Sequence, residues 1–337
     1  MDIATFASVQ QLRLRLSTID PRLRVSYPIF SSCTWTAPAD GLAIVRSLAP
    51  GGSGAVVAAS MGIYVSVTGG YTGAWGGKVV RVRKGQQIVV VHGAAGAAVA
   101  GLTTGSNGKA GGNNIVTIDG VSYTAPGGLG GIYTAGNGVV PVMPAAPVLP
   151  AGWDFGANGV RPGFLAATPN PSGVATGGAG VDILMQGNNA TTSASINNSA
   201  GGGTVNPSTS STRGGGYLPN GANALGFLPG NSDPAAFYDA SKGEWGISFY
   251  GGNGGGPTGA AGNGGGGVGS LAGGHGGGGG GSSSPSSSGA IVAGAGGLGA
   301  GGGGCVGPAS GISGTNYSGA GGGAYTHIEF FADMPAG

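Results

Sequence analysis

The chain has 337 residues, of which 82 are glycine, while charged residues make up only 7% and hydrophobic residues 40%. A soluble domain is ordinarily about one quarter charged and about 7% glycine, so this is neither an ordinary enzyme domain nor a chain kept soluble by charge and disorder. The net charge of +2 is unevenly spread: the first 100 residues hold nine Lys/Arg against three Asp/Glu, and the remainder four against eight.

Residues 1–30 open the chain as a separate segment. Ile3, Phe6, Val9 and Leu12 recur at about every third residue, which predicts a short helix, and LRLRL then alternates like a strand with Arg13 and Arg15 on one face. Pro21 breaks the pattern. The start lacks the basic and continuous apolar regions of a signal peptide, so the chain is expected to be made in the cytoplasm and not exported by the Sec route. With few charges and no strand neighbours, the segment reads as an attachment or oligomerisation arm. Ile3, Phe6, Val9 and Leu12 are the contact candidates.

Residues 31–125 carry strand patterning. CTWTAPADG, LAIVRSL, AVVAAS, IYVSVT, KVVRVRKG and QQIVVVHG follow one another, and NIVTIDGVSYTAP begins at Asn114. VVRVRK alternates Val80 and Val82 with Arg81 and Arg83, and Gly85 marks a turn. The expected unit is a small β-sandwich or β-roll. Residues 126–250 form a loop-rich region of Gly, Pro, Asn, Ser and Thr. Its aromatics gather in 217–250, where a satellite core and a binding face are both open readings.

Residues 251–323 hold 36 glycines and no Asp, Glu, Lys or Arg. The glycines come in short runs (GGNGGG, GNGGGG, GGHGGGGGG, GAGGLGAGGGG, GAGGG), separated by PTGAA, VGSLA, SSSPSSSGAIVA and CVGPASGISGTNYS. The phase slips, so this is not collagen, and linkers do not divide into near-equal runs with distinctive loops. An ordered bundle remains. Extended helices of three residues per turn make no internal hydrogen bonds, and bare glycine lets neighbours satisfy each other's backbone groups. Residues 324–337 then supply AYTHIEFF, a closing strand that needs a sheet to join, and a tail.

WTAPADG, APGGSGA, GGKVVRVRKGQQIVVVHGAAG, the glycine runs with intervening loops and the terminal GAGGGAYTHIEFF together resemble the glycine-rich tail-fibre proteins of tailed bacteriophages, including the distal adhesins of T-even-type phages. The resemblance covers about residues 31–331. AAGAAVAG carries Ala where that family more often has Gly, and residues 1–30 lie outside it. It implies an all-β fold: an N-terminal β-sandwich closed by the C-terminal strand, plus a bundle of polyglycine II helices with displayed loops. It also implies a virion protein that contacts the host cell surface.

Chemistry is sparse. GAGGLG at Gly294–Gly299 matches a dinucleotide fingerprint but lacks its strand, helix and acid, and GGK at Gly76–Lys78 lacks the phosphate-loop spacing. His92, His275 and His327 are isolated, so no metal is expected. Asn189, Asn197 and Asn316 head glycosylation-type triplets that a bacterial-virus product would leave unmodified. Cys33 and Cys305 are far apart in sequence, and their redox state stays open. No catalytic constellation, cofactor site, nucleic-acid-binding pattern or membrane span is read; the chain is expected to be no enzyme.

Three functions are weighed: a tail-fibre or tail-tip adhesin, a purely structural virion component (collar, baseplate or capsid fibre), and an ice-binding polyglycine protein. Ragged run lengths and Trp-bearing loops disfavour the last. For the adhesin, the receptor-contact candidates are Ser284, Pro285, Ser286, Asn316, Tyr317, Trp245 and Tyr250. The expected partners are other virion proteins (fibre, baseplate or tail-tip), a bacterial surface protein or glycan, and further copies of the chain, with a trimer favoured.

Overall fold

A computed structural model describes residues 24–59, 63–101, 104–164, 167–169, 174–179, 205–206, 210–211, 279, 282–283, 291–308 and 315–333. These residues are all-β, with no helix among them. In chain order the strands are β1 (Arg24–Ile29), β2 (Cys33–Thr36), β3 (Gly41–Leu48), β4 (Val56–Ala59), β5 (Tyr64–Val67), β6 (Trp75–Val82), β7 (Gln87–Val91), β8 (Asn114–Ile118), β9 (Val121–Ala125), β10 (Tyr133–Ala135), β11 (Phe155–Ala157), β12 (Thr168–Pro169), β13 (Val174–Ala175), β14 (Val205–Asn206), β15 (Ser210–Ser211), β16 (Ser282–Ser283), β17 (Cys305–Pro308) and β18 (Tyr325–Ala332).

Two antiparallel sheets face each other, and neither closes into a barrel. One has the order β1-β18-β3-β6-β11, the other β2-β7-β8-β9. A single core joins them, with Ala43, Val45, Ile328 and Phe330 from the first meeting Trp35, Ile88, Val90, Val116 and Ile118 from the second. Sequence alternation places these residues: in QIVVV of β7, Ile88 and Val90 turn inward and Val89 and Val91 outward. The β8–β9 hairpin turns on Asp119 and Gly120, both at positive φ (50° and 77°), the geometry that an Asp-Gly pair adopts most readily.

The final strand does join the N-terminal sheet, lying between β1 and β3 and paired to both. Its two faces meet different surroundings. Ile328 and Phe330 enter the shared core, while Tyr325 and Phe331 pack with Ile44, Leu48, Trp75, Phe155 and Ala300 on the far side. On that far side Glu329, fully buried, is held by Arg24 (Nη2 to Oε1, 2.7 Å) and Arg46 (Nη1 to Oε2, 2.9 Å). Nearby, the His92 Nε2 lies 2.9 Å from the Thr326 hydroxyl. Burial holds that imidazole below its ordinary pKa, against the opposing pull of the Phe30 backbone.

Beyond the sandwich lie two sheets of short strands, β10-β5-β13-β14-β15 with β12 on β5, and β16-β17-β4, and between them and the sandwich the chain forms segments that are mostly outside any strand. Their bonding has a period of three. In 49–56 the N–H groups of Gly51, Gly52 and Ser53 donate to the carbonyls of Gly322, Tyr71 and Lys109; those of Gly54, Ala55 and Val56 then donate to Gly319, Thr68 and Ser106. The same three neighbours recur in the same order. Its carbonyls accept from three further segments: Pro50 and Ser53 from Gly128 and Gly131, Gly51 from Gly96, and Gly52 and Ala55 from Gly302 and Cys305. Six neighbours thus surround one rod. A β-strand bonds to two.

The glycines explain the approach. A Cβ on Gly51 would land on the Ala300 carbonyl, and one on Gly301 on the Gly70 carbonyl. Where a side chain is present inside, it completes the bonding: the Ser53, Thr68 and Thr72 hydroxyls accept from the Lys109, Ile132 and Val160 N–H groups. Segment 93–101 tolerates AAGAAVAG because it lies at the edge. Gly96 is buried against Gly51 and Gly52, while Ala97 and Ala98 are exposed.

These layers are not separate stretches of sequence. β3 runs into 49–56, 68–74 into β6, β7 into 93–101, 105–112 into β8, β9 into 126–132, and 315–323 into β18. The sandwich expected in 31–125 therefore also draws on β1, β11 and β18, and glycine rods lie within that range. The expected attachment arm, 1–30, likewise ends earlier than read, since β1 is paired along its whole length to β18. Ile3, Phe6, Val9 and Leu12 lie outside the described residues, as do 251–278 of the expected bundle.

Candidate binding tip

Because six of the rods continue sandwich strands, the molecule has a base and a tip. The tip is formed by the described residues at the rod ends away from the sandwich: Ala59 and Ile63, Gly101 and Thr104, Ser283 and Ile291, Pro308 and Thr315. Several of them are tied together at one level. β4 pairs in parallel with β17, and β17 with β16, joining Val56, Cys305 and Ser282. Tyr317 bridges Ala100 and Val292, and its N–H donates to the Ile291 carbonyl at 2.8 Å.

Tyr317 is 41% exposed at this end. Asn316, its neighbour, is not a contact residue: it is 1% exposed, and its Oδ1 accepts from the Ile291 N–H at 3.2 Å. Three-residue periodicity turns adjacent side chains by about a third of a circle, so one faces solvent and the next the interior. Ser284, Pro285, Ser286, Trp245 and Tyr250 lie outside the described residues. Ser283 and Ile291, which flank the first three, are described and stand at the tip.

The geometry adds residues that sequence reading passed over. Ile63 and Val292 are exposed at the tip, and Tyr64 and Tyr133 are half-buried there. Tyr133 lies over Gly105, whose positive φ (71°) turns the chain and leaves room for the ring. Its N–H donates to Asn107 Oδ1 at 2.8 Å. The signal available in sequence was an aromatic beside a glycine turn (GIYTAG, MGIYVS).

Charge is segregated. Among the described residues, every Asp, Glu, Lys and Arg except Lys109 and Arg161 lies on the sandwich strands or their turns. Ala59, Ile63, Gly101, Thr104, Ser283, Ile291, Pro308 and Thr315 at the tip include none. Tyr71, buried in the rod layer, has its phenol pushed up to about 12 by burial, with Arg161 opposing. Cys305 is buried beneath the tip and likewise pushed up to about 12 by burial, so its thiol is unreactive. Cys33 is exposed on β2, in the base, and both thiols are free. Among the described residues no three His, Cys, Asp or Glu side chains cluster as a metal site, and no helix is long and apolar enough to cross a membrane. No protein-family model matches the chain, and no curated protein does either.

Proposed function

We propose that the chain is a bacteriophage virion protein, a tail-fibre or tail-tip adhesin whose uncharged tip contacts a protein or glycan on the host cell surface. The rods are read as polyglycine II helices packed six around one, and the bundle is read as continuing through the glycine runs of 251–278. One observation carries the reading: rods rooted in sandwich strands end together opposite the base, where Ile63, Val292 and Tyr317 are exposed and no described residue is charged. Rigidly held segments with Ser, Gly and Tyr make adaptable hydrogen bonds around aromatic anchors. A surface without charge binds without long-range steering, so its affinity depends little on salt. On this reading the protein performs no catalysis, and copies on one particle raise avidity.

A fluorophore on the exposed Cys33 thiol, in the base, leaves the tip free. The labelled chain is expected to stain a subset of a bacterial panel, with less than about a twofold change when salt rises tenfold. Tyr317→Ala combined with Ser284→Gly, Pro285→Gly and Ser286→Gly should lower staining by about tenfold or more while thermal unfolding stays put. Staining of no strain, or equal staining by the variant, would leave the purely structural virion component as the better reading.

A further inference from the structure

Six asparagines in the chain precede a glycine, and three of these pairs are described: Asn107–Gly108, Asn137–Gly138 and Asn158–Gly159. The pairing matters chemically, because the backbone nitrogen of the next residue can attack the asparagine side-chain amide. Glycine, without a Cβ, allows the closest approach. What separates the three pairs is how firmly the fold holds both reacting groups.

At Asn107 and Asn158 both groups are held. Asn107 Oδ1 accepts from the Tyr133 N–H at 2.8 Å, and Asn158 Oδ1 from the Leu149 N–H at 2.9 Å. The attacking nitrogens are fixed as well: the Gly108 N–H donates to Gly131 O at 2.9 Å and the Gly159 N–H to Pro147 O at 2.8 Å. Both glycines are packed against backbone, since a Cβ on Gly108 would meet Ser53 O and one on Gly159 would meet Thr72 O.

Asn137–Gly138 differs on each count. The pair forms the turn that follows β10, and both residues are exposed. Among the described residues none bonds to the Asn137 side chain. Gly138, at a φ of 68°, has open space where a Cβ would stand. Its N–H reaches Ala167 O only at 3.3 Å, and the bond that closes the turn, from the Val139 N–H to Gly136 O, is 3.2 Å, both at or beyond the long end of the usual range. The turn stands at the tip, where the Gly136 N–H donates to Tyr64 O.

We infer that Asn137–Gly138 is a site of self-modification, at which the folded protein converts asparagine to aspartate or isoaspartate. The Gly138 nitrogen gives its proton to hydroxide and bonds to Asn137 Cγ. The Cγ–Nδ2 bond then breaks, the departing nitrogen takes a proton from water and leaves as ammonia, and a cyclic imide closes. Water opens the ring at Cγ to give aspartate, or at the Asn137 main-chain carbonyl carbon to give isoaspartate. Nothing is oxidised or reduced. Either product puts a carboxylate beside Tyr64, on a tip that otherwise has no charge among its described residues. What that charge does to adhesion rests on the function proposed above; the conversion does not.

The folded chain, held at mildly alkaline pH and digested at intervals, is mapped by peptide mass spectrometry for amide replaced by acid. Asn137 is expected to convert about tenfold faster or more than Asn107 and Asn158, the ratio implied by the additional hydrogen bonds that hold those two. In denaturant, without the fold to restrain them, the three pairs are expected to convert at similar rates. Asn137→Gln, which would have to close a larger ring, is expected to remove the first product and leave thermal unfolding unchanged. Conversion at Asn137 no faster than at Asn107 or Asn158 in the folded chain, or the same ranking after unfolding, overturns the inference. The readout uses no bacteria, so its failure is separate from a failure of the adhesin reading.

Discussion

At the scale of single residues, the least replaceable side chain described is Glu329. A carboxylate removed from water is costly unless paired, and this one has Arg24 and Arg46 on its two oxygens. The three come from β1, β3 and β18, so the cluster ties the C-terminal strand to both of its neighbours. Glu329→Gln keeps the shape and removes the charge, leaving two guanidinium groups with no counter-charge between them. It should lower unfolding free energy by about 3–5 kcal/mol, measured by urea titration. A loss below about 1 kcal/mol would mean that solvent reaches the pair. Exposed pairs at the base, such as Arg81 with Asp333, should contribute far less.

At the scale of elements, the rods reverse the usual division of labour between backbone and side chain. Ordering glycine is entropically costly, and the glycine positions themselves bury no side chain to offset it. The offset comes from backbone groups satisfied by six neighbouring segments instead of two. Rod 299–305 shows the consequence: its backbone bonds to 49–56, 68–74, 176–179, 279, 291–297 and 315–323. Gly301 lies at its centre, donating to Ala179 O and accepting from Gly279. Gly301→Val should lower stability by several kcal/mol, in the range of a severe core substitution. Ala97→Val, on the exposed side of an edge rod, should stay within about 0.5 kcal/mol. Equal melting temperatures for the two variants would show that the rods are passive spacers. Strand elements were legible because a period of two is a local signal: KVVRVRKGQQIVVV, NIVTIDGVSYTA and AYTHIEFF each carry it within a few residues. Rods such as PGGSGAV at 50–56 carry little signal. Their period resides in which distant segment receives each N–H group, and sequence does not display that.

At the scale of the whole molecule, the base and tip are set by how often the chain crosses between them. At the base most rods pass into strands of the sandwich, while 291–297 and 299–305 join through a turn at Leu298–Gly299 beside Leu48. The N-terminal residues precede β1, which belongs to the base, so an attachment arm in 1–23 would hold the molecule with its tip outward. Removing 1–23 and retaining Arg24 should leave the unfolding transition intact, since the β1–β18 pairing and the Arg24–Glu329 bond survive. The same truncation should abolish incorporation into particles, scored by antibody against purified virions. Normal incorporation would place attachment elsewhere on the base. Cutting to residue 30 would be a poorer test, because it deletes β1 itself.

Sequence alone determined the kind of physics available. Runs of bare glycine without charge cannot build a side-chain core, so any order among them has to come from backbone bonding, and that follows from composition. Period-two alternation likewise determined which stretches are strands and that the last one needs a sheet. Tertiary structure decided everything that depends on partners distant in sequence: that glycine rods interleave with sandwich strands from residue 49 onward, and that β18 lies between β1 and β3. It also decided that, of two adjacent polar residues, Asn316 fills the interior and Tyr317 meets solvent. A three-residue period gives each position its own neighbour, and only the folded chain supplies the neighbours.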